Sequence, residues 1–313
     1  MTNTQPKEIS IVLPAYNEEA NLVPLVDEII AVLQNAYDLE IIIVDDGSKD
    51  TTREVIRNLS HKDSRVKGLI FYRNFGHQAA LMAGITNASG DAVIIMDSDS
   101  QHPPSVLPEM LDMWLKGFDL VLGQKSSDHT ASFMTRVFRA IGYKTYSLMN
   151  DASIIPGISD FRLMDRNVVD LLVSSNEKRL ILRSVVHRYA RNTALVNYDV
   201  GVRKHGTSSY SFTKLYNLFV TNVVSSSLVP LRLSFLLGIF AITLSIFMIL
   251  FVLFAKLFLG ASIIQGWATT IILLSLYFGL NFFCLGILAE YIGVIFDEVK
   301  DRPRFAIKEK ISL

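Results

Sequence analysis

The chain has 313 residues and a single cysteine, Cys284, which lies inside an apolar run. One cysteine excludes an internal disulfide and any cysteine-built metal cluster, and it fits a reducing compartment. There is no excess of either charge. Thirty Lys and Arg balance 30 Asp and Glu, so no basic field points to nucleic acid as a partner. Residues 1–7 are polar and carry no apolar stretch, so no cleavable signal peptide is expected there. Two phosphate-binding signatures are also missing. No G-x-G-x-x-G follows the first apolar segment and no G-x-x-x-x-G-K-[ST] occurs anywhere, which disfavours dinucleotide and P-loop chemistry. Phosphates, if bound, must be held by a metal and basic side chains.

What the chain does contain is a recurring pattern of short apolar segments ending in polar clusters. Residues 92–101, Ala-Val-Ile-Ile-Met-Asp-Ser-Asp-Ser-Gln, are the sharpest case: a buried strand that delivers acids to a sheet edge, stopped by Pro103 and Pro104. If strand geometry persisted, Asp97, Asp99 and Gln101 would project to one side. Two carboxylates and a carbonyl oxygen suit a hard divalent cation, Mg²⁺ or Mn²⁺, whose remaining ligands are commonly substrate phosphates. Alone, such a D-x-D is more often a solvated turn after a strand, and the rest of the chain has to decide.

The same pattern repeats upstream. Ile9–Leu13 reads as a strand ending at Pro14-Ala15-Tyr16-Asn17-Glu18, followed by a helix that Asn21 would cap. Glu40–Val44 is a second strand, ending in Asp45-Asp46-Gly47-Ser48, with a helix capped by Asp50 or Thr51. Val66–Tyr72 is a third, ending in Arg73-Asn74-Phe75-Gly76, with a helix from Gln78 to Asn87. A helix from Ser105 to Lys116 then leads to a fifth strand, Asp119–Gly123. Alternation at this spacing predicts an α/β domain with a doubly wound, mostly parallel sheet. Ligands of such sheets bind beyond the carboxyl ends of the strands, where all four clusters fall.

The second half is less regular. A basic helix bears Phe133, Arg136, Phe138, Arg139, Tyr143 and Lys144 and is compatible with an ordinary amphipathic surface. Ser159-Asp160-Phe161-Arg162-Leu163-Met164-Asp165 reads as the opening of a helix with Asp160 at its N-terminus, either as a plain cap or with a further role. Val196–Val202 reads as another strand, followed by Arg203-Lys204-His205-Gly206-Thr207-Ser208-Ser209-Tyr210, a loop composed either to grip a phosphate or simply to be solvated.

Residues 211–229 are amphipathic and would suit a helix at a membrane surface. Within 230–293, residues 233–255 and 267–289 hold no charged side chain, and each would be about 34 Å long as a helix, enough to cross a hydrocarbon core of about 30 Å. Lys256 is the only basic residue between them, while the tail 294–313 carries Lys300, Arg302, Arg304, Lys308 and Lys310. The positive-inside rule then puts the tail and the N-terminal domain, residues 1–210, in the cytoplasm, with a multi-pass anchor in the inner membrane.

These motifs, in this order, resemble glycosyltransferase family 2, and within it the membrane-anchored polyprenyl-phosphate glycosyltransferases. The resemblance rests on V-L-P-A-Y-N-E-E (12–19), V-D-D-G-S-K-D (44–50), R-N-F-G-H-Q-A-A (73–80), D-S-D-S-Q-H-P-P (97–104), S-D-F-R-L-M-D-R (159–166), R-K-H-G-T-S-S-Y-S (203–211), P-L-R (230–232), the two apolar segments, E-Y-I-G (290–293) and R-P-R-F (302–305). It implies a GT-A nucleotide-sugar-binding domain followed by a two-helix transmembrane hairpin. It further implies that Pro14, Ala15, Tyr16, Asn17, Glu18, Asp45, Asp46, Gly47, Asp97 and Ser98 hold the nucleotide-sugar. Asp97, Asp99 and Gln101 would hold the metal, and Asp160, Asp99 and Arg203 would serve the reacting centre. Arg136, Arg139, Arg203, Lys204 and Ser208 would grip the acceptor phosphate. Two departures stand out. The Ser-Lys expected after the glycine is Ser208-Ser209, and the basic loop after the fifth strand is thinned to Gln124-Lys125-Ser126-Ser127.

The implied activity is an inverting transfer from a UDP- or GDP-sugar, UDP-glucose favoured, to a polyprenyl phosphate, undecaprenyl phosphate favoured, for envelope glycan modification. Two helices are a thin anchor, so a homo-oligomer held through them is expected, a tetramer being one arrangement. Two other readings stay open: a non-catalytic nucleotide-sugar-binding membrane protein, and a processive polysaccharide synthase. The synthase would need a Gln-x-x-Arg-Trp motif, and Trp114 and Trp267 are the only tryptophans. A transporter built on the hairpin would need paired intramembrane charges, which the apolar segments lack.

Overall fold

The structure, a computed structural model, describes residues 7–33, 37–126, 158–175, 182–199, 229–258, 266–300 and 302–313. These residues form two compact units, one built on a sheet and one of two long helices. The first unit runs β1 (Glu8–Ala15), α1 (Glu19–Val32), β2 (Asp38–Asp45), α2 (Thr52–Lys62), β3 (Val66–Phe71), α3 (His77–Asn87), β4 (Ala92–Ile95), α4 (Leu107–Leu115), β5 (Leu120–Lys125), β6 (Ile158–Asp165), α5 (Arg166–Ser174), α6 (Leu182–Tyr189) and β7 (Thr193–Tyr198). The second holds α7 (Val229–Phe258) and α8 (Trp267–Val299), after which β8 (Ile307–Ile311) rejoins the first unit.

The sheet order is β7-β5-β6-β4-β1-β2-β3-β8. Four neighbouring strands, β3-β2-β1-β4, run parallel, as does the pair β5 and β7. β6 is antiparallel to both β4 and β5, and β8 is antiparallel to β3. Six of the eight strands therefore run in one direction, and the mostly parallel sheet is mixed only at β8 and at β6, which inserts between two strands that follow each other in sequence.

Both faces are covered. Along β1 and β2, Ile9, Ile11, Leu13, Ile41 and Ile43 pack with Leu22, Ile29, Ile56 and Met110 of α1, α2 and α4. The alternate residues Val12, Ile42 and Val44 pack with Leu81, Ile85, Val169 and Val186 of α3, α5 and α6. This is the period of two expected of strands buried on both faces. At Gly84 a Cβ would stand 2.2 Å from Val12 Cγ1, so glycine lets α3 lie close on β1.

Three local expectations are corrected. Residues 158–165 form a strand, not a helix opening with Asp160. Phe161 and Leu163 face one core while Arg162 and Met164 turn to the other side. The helix starts later, and Asp165 caps it by accepting from Asn167 N at 3.0 Å. The strand geometry that would align Asp97 with Asp99 ends at Ile95, and Ser100 takes a φ of 63° in the turn that follows. Helix α1 starts at Glu19 with Glu18 in the cap position, ahead of Asn21. Residues beyond 300 do more than supply basic charge, since β8 adds a strand to the sheet edge.

α7 and α8 have 30 and 33 residues, about 45 and 50 Å at 1.5 Å per residue. Leu231–Met248 and Leu276–Phe296 are long and apolar enough to cross a membrane by length and composition. Their large side chains, among them Phe235, Phe240, Phe247, Phe282 and Phe283, are exposed. Within the pair, Cys284 Sγ lies 3.7 Å from the Ser234 carbonyl.

Candidate active site at the carboxyl ends of the strands

The loops after β1, β2, β3 and β4 are stitched together by hydrogen bonds. Asp46 N donates to Ala15 O at 2.9 Å, and Ser98 Oγ donates to Pro14 O at 2.8 Å. Asn17, at φ 57°, donates from its N–H to Ser48 Oγ and accepts from Lys49 N through Oδ1, each at 2.9 Å. Glu18 N donates to Thr52 Oγ1 at 2.9 Å, and the Glu18 carboxylate accepts from Asn21 Nδ2 at 2.6 Å. Tyr16 is left 40% exposed beside this knot.

Asp45 and Asp46 are both buried and do different things. Asp45 Oδ1 accepts from Ser48 N at 2.9 Å, closing the turn, and Oδ2 lies 3.7 Å from Arg53 Nε. Asp46 accepts from the next loop, from Phe75 N at 2.7 Å and from Gly76 N at 3.0 Å. Burial pushes the Asp46 carboxyl above its ordinary range. The Phe75 and Gly76 amides pull it back, Asp45 adds to the rise and His77 opposes it. Between the two loops, Gly47 has a φ of 69°, and a Cβ there would stand 2.4 Å from the Arg73 carbonyl carbon. Only glycine fits a left-handed residue under so close a backbone.

The acids after β4 and those of β6 meet across the sheet. Ile95 pairs with Arg162 in the antiparallel ladder, which sets Asp97 and Asp160 opposite one another just beyond it. His77, the first residue of α3, places Nε2 3.6 Å from Asp97 Oδ1 and 3.5 Å from Asp160 Oδ2. The other oxygen, Asp160 Oδ1, accepts from Arg162 Nη2 at 3.1 Å. Arg162 is fully buried and also donates to the carbonyls of Ser159, Asp160 and Leu182. Burial, with the Arg162 charge adding to it, holds the His187 imidazole below its ordinary pKa.

The Asp97 turn is held from below by His102, which is 1% exposed. Asp97 N donates to His102 Nδ1 at 2.9 Å, so the ring proton sits on Nε2, 3.7 Å from Asp97 Oδ2. The imidazole stacks on Phe161 at 4.9 Å and meets Tyr198 edge-on at 5.7 Å. Tyr198 OH in turn bonds to Ser159 Oγ at 2.7 Å. Asp99 Oδ1 accepts from Gln101 N at 3.1 Å.

As a cation site this donor set is open. Among the described residues, no three His, Cys, Asp or Glu side chains come together as a metal-holding group. Asp97 and Asp99 in one turn offer two hard oxygen ligands, which fits Mg²⁺ or Mn²⁺ completed by substrate oxygens and does not fit a closed structural metal.

Of the residues expected from sequence, Pro14, Ala15, Tyr16, Asn17, Glu18, Asp45, Asp46, Gly47, Asp97, Ser98, Asp99, Gln101 and Asp160 all lie at this end of the sheet. Arg136, Arg139, Arg203, Lys204 and Ser208 lie outside the described residues, as does the amphipathic segment 211–228. Sequence reasoning passed over His77, His102 and Arg162. The signal for His77 was its place directly after the Arg73–Gly76 cluster, at the start of a helix.

Comparison with known proteins gives a consistent result. The description Glycosyl transferase family 2 matches residues 10–172. The Bacillus subtilis (strain 168) protein CsbB, provisionally named a glycosyltransferase, is 36% identical over 96% of this chain and 91% of its own length. The SfII prophage-derived bactoprenol glucosyl transferase of Shigella flexneri is 34% identical over 96% of this chain and 98% of its own. Among solved structures, glucosyl-3-phosphoglycerate synthase from Mycobacterium tuberculosis, in complex with Mn²⁺, UDP-glucose and phosphoglyceric acid, aligns with a TM-score of 0.46. That alignment is 21% identical and covers 70% of this chain and 78% of the synthase.

Proposed function

The chain belongs to glycosyltransferase family 2, and from that premise we propose that it transfers one sugar from a nucleoside-diphosphate donor to a polyprenyl phosphate at a membrane surface. The observation that carries the reading is the meeting of Asp97 and Asp160 where the carboxyl end of β4 lies beside the amino end of β6, in a chain that also holds two helices long and apolar enough to cross a membrane. Identity with bactoprenol glucosyl transferases over nearly the whole length supports a lipid acceptor and favours UDP-glucose with undecaprenyl phosphate.

In this reading, Pro14, Ala15, Tyr16, Asn17, Glu18, Asp45, Asp46, Gly47, Asp97 and Ser98 form the nucleotide-sugar site. Asp46 acts there through the 73–76 loop, because its oxygens are committed to that loop's amides. Mg²⁺ or Mn²⁺ would be held by Asp97, Asp99 and Gln101 and, when bound, would offset charge on the diphosphate. An acceptor phosphate oxygen attacks the anomeric carbon as the bond to the diphosphate oxygen breaks, so the configuration inverts and the nucleoside diphosphate leaves. A phosphate monoester has its second pKa near 6, so at pH 7 the acceptor is largely dianionic and needs orientation more than deprotonation. Asp160, braced by Arg162, would orient the reacting groups, and Arg136, Arg139, Arg203, Lys204 and Ser208 would receive the acceptor phosphate.

The pairing of β8 with β3 supports a hairpin topology. Residues before α7 and after α8 belong to one sheet, which favours both on the same side of a membrane that α7 and α8 would cross as a pair. The basic residues after α8 favour the cytoplasm as that side. Association of copies through the two helices, as a homo-oligomer such as a tetramer, would firm the anchor.

A donor screen tests the reading. Purified protein in detergent is incubated with undecaprenyl phosphate, Mg²⁺ or Mn²⁺, and each common UDP- and GDP-sugar in turn. One donor giving an EDTA-sensitive, lipid-linked sugar is the expected result. Nucleotide binding without product from any donor would favour a non-catalytic binding protein instead.

A further inference from the structure

Asp160 is held from two directions, and only one of them is buried. Behind it, the fully buried Arg162 donates to Oδ1. In front, His77 Nε2 stands 3.5 Å from Oδ2 and 3.6 Å from Asp97 Oδ1, with the His77 side chain 43% exposed. Two carboxylates brought face to face by the β4–β6 register repel each other, and each would turn away unless a donor stood between them. The imidazole occupies that place. Its own position is fixed, because Gly76 and Phe75, the two residues before it, are tied by their amides to Asp46. The tie begins in the β2 loop, where the nucleotide is proposed to bind, and ends between the two acids.

We propose that His77 is a positioning residue for sugar transfer, which sets the separation and orientation of the Asp97 and Asp160 carboxylates. The inference rests on the transfer reaction proposed above. It does not require His77 to touch the sugar or to change charge during the reaction. What it requires is an N–H at the Nε2 position, which glutamine can reproduce and asparagine, being shorter, cannot.

The test compares His77→Ala, His77→Gln and His77→Asn with wild type and with His61→Ala, an exposed histidine in the last turn of α2. Transfer is measured as kcat and donor KM, nucleotide-sugar affinity by calorimetry, and folding by thermal unfolding. His77→Ala and His77→Asn are expected to lose about tenfold or more in kcat, with donor KM and affinity changed less than about threefold. His77→Gln is expected to keep at least about a third of wild-type kcat, and added imidazole to restore part of the activity of His77→Ala. A structural role alone would lower the unfolding temperature, treat Gln and Asn alike and show no imidazole rescue. Wild-type kcat in His77→Ala, or equal loss in Gln and Asn without rescue, overturns the positioning role. Absence of transfer by the wild-type protein with every donor overturns the reaction itself, and this role with it.

Discussion

Glu309, near the C-terminus, grips Arg57 of α2 with both carboxylate oxygens, at 3.2 Å from Nε and 2.7 Å from Nη2. Around that pair the chain that follows the second long helix is built into the sheet. Tyr72 N donates to Ala306 O at 3.2 Å, Lys310 Nζ reaches Asn87 Oδ1 at 2.8 Å, and Phe305 stacks on Phe71 at 5.3 Å. Phe71 also meets Phe75 edge-on at 5.6 Å, in the loop that leads to His77. The tail thus covers the otherwise open edge of β3 and braces a loop of the candidate site.

Reversal of the Glu309 charge, Glu309→Arg, is expected to lower the thermal unfolding midpoint measured in detergent. The double variant Arg57→Glu with Glu309→Arg should recover most of the loss. No recovery would mean that the ladder, and not the ion pair, holds β8.

Asp46→Ala removes the acceptor of two amides, Phe75 N and Gly76 N. Leaving them without partners should cost about 1–3 kcal/mol of stability. Amide exchange at Phe75 and Gly76 should quicken, and transfer should fall by about tenfold or more. Asp46→Asn keeps one acceptor oxygen and should be milder on all three measures. Unchanged exchange in Asp46→Ala would sever the proposed link between the two loops.

At the opposite end of the sheet, Glu40 is buried with Lys67 Nζ at 2.6 Å and Ser89 N at 2.9 Å, and with a short bond from Ser10 Oγ. Burial alone would raise its carboxyl pKa. The bonds from Lys67, Ser10 and Ser89 outweigh burial and hold it below the ordinary value. A depressed carboxyl stabilises the fold above the unfolded pKa of about 4.3, and that contribution fades as pH falls through the lower folded value. Glu40→Gln should therefore lose about 1–2 kcal/mol at pH 7, and the gap to wild type should shrink below about pH 4. A gap that stays constant down to pH 3 would count against the bonded, ionised state.

The parallel half of the sheet and its four polar clusters were legible because each strand and its loop are contiguous in sequence. Alternation at Ile41-Ile42-Ile43-Val44 and the turn chemistry of Asp45-Asp46-Gly47 are local signals. β6 was misread because an Asp after a Ser resembles a helix cap, while the ladder that makes 158–165 a strand comes from β4 and β5, far away in sequence. β8 was hidden for a similar reason. Ile-Lys-Glu-Lys-Ile reads as a charged tail until the edge of β3 is there to pair with it. Its place after the Arg73–Gly76 cluster marks His77 as near the site, but its position between Asp97 and Asp160 exists only once β4 and β6 are adjacent.

Asp160→Asn keeps the size of the side chain and the reach to Arg162 but removes the charge that faces His77. Transfer should fall by about a hundredfold or more with folding intact, as expected when a charged group at a reacting centre is neutralised. Asp99→Asn should also lose transfer, and recovery at high Mn²⁺ would identify the loss as one of cation affinity.

The most direct measurement follows radiolabelled glucose from UDP-glucose into the organic phase with undecaprenyl phosphate, using wild-type protein and Asp97→Asn side by side. The account expects a lipid-linked glucose from the wild type that EDTA abolishes and Asp97→Asn does not make. Label moving to lipid equally well with Asp97→Asn, or never reaching lipid from any nucleotide-sugar while the protein is folded and binds nucleotide, would contradict it.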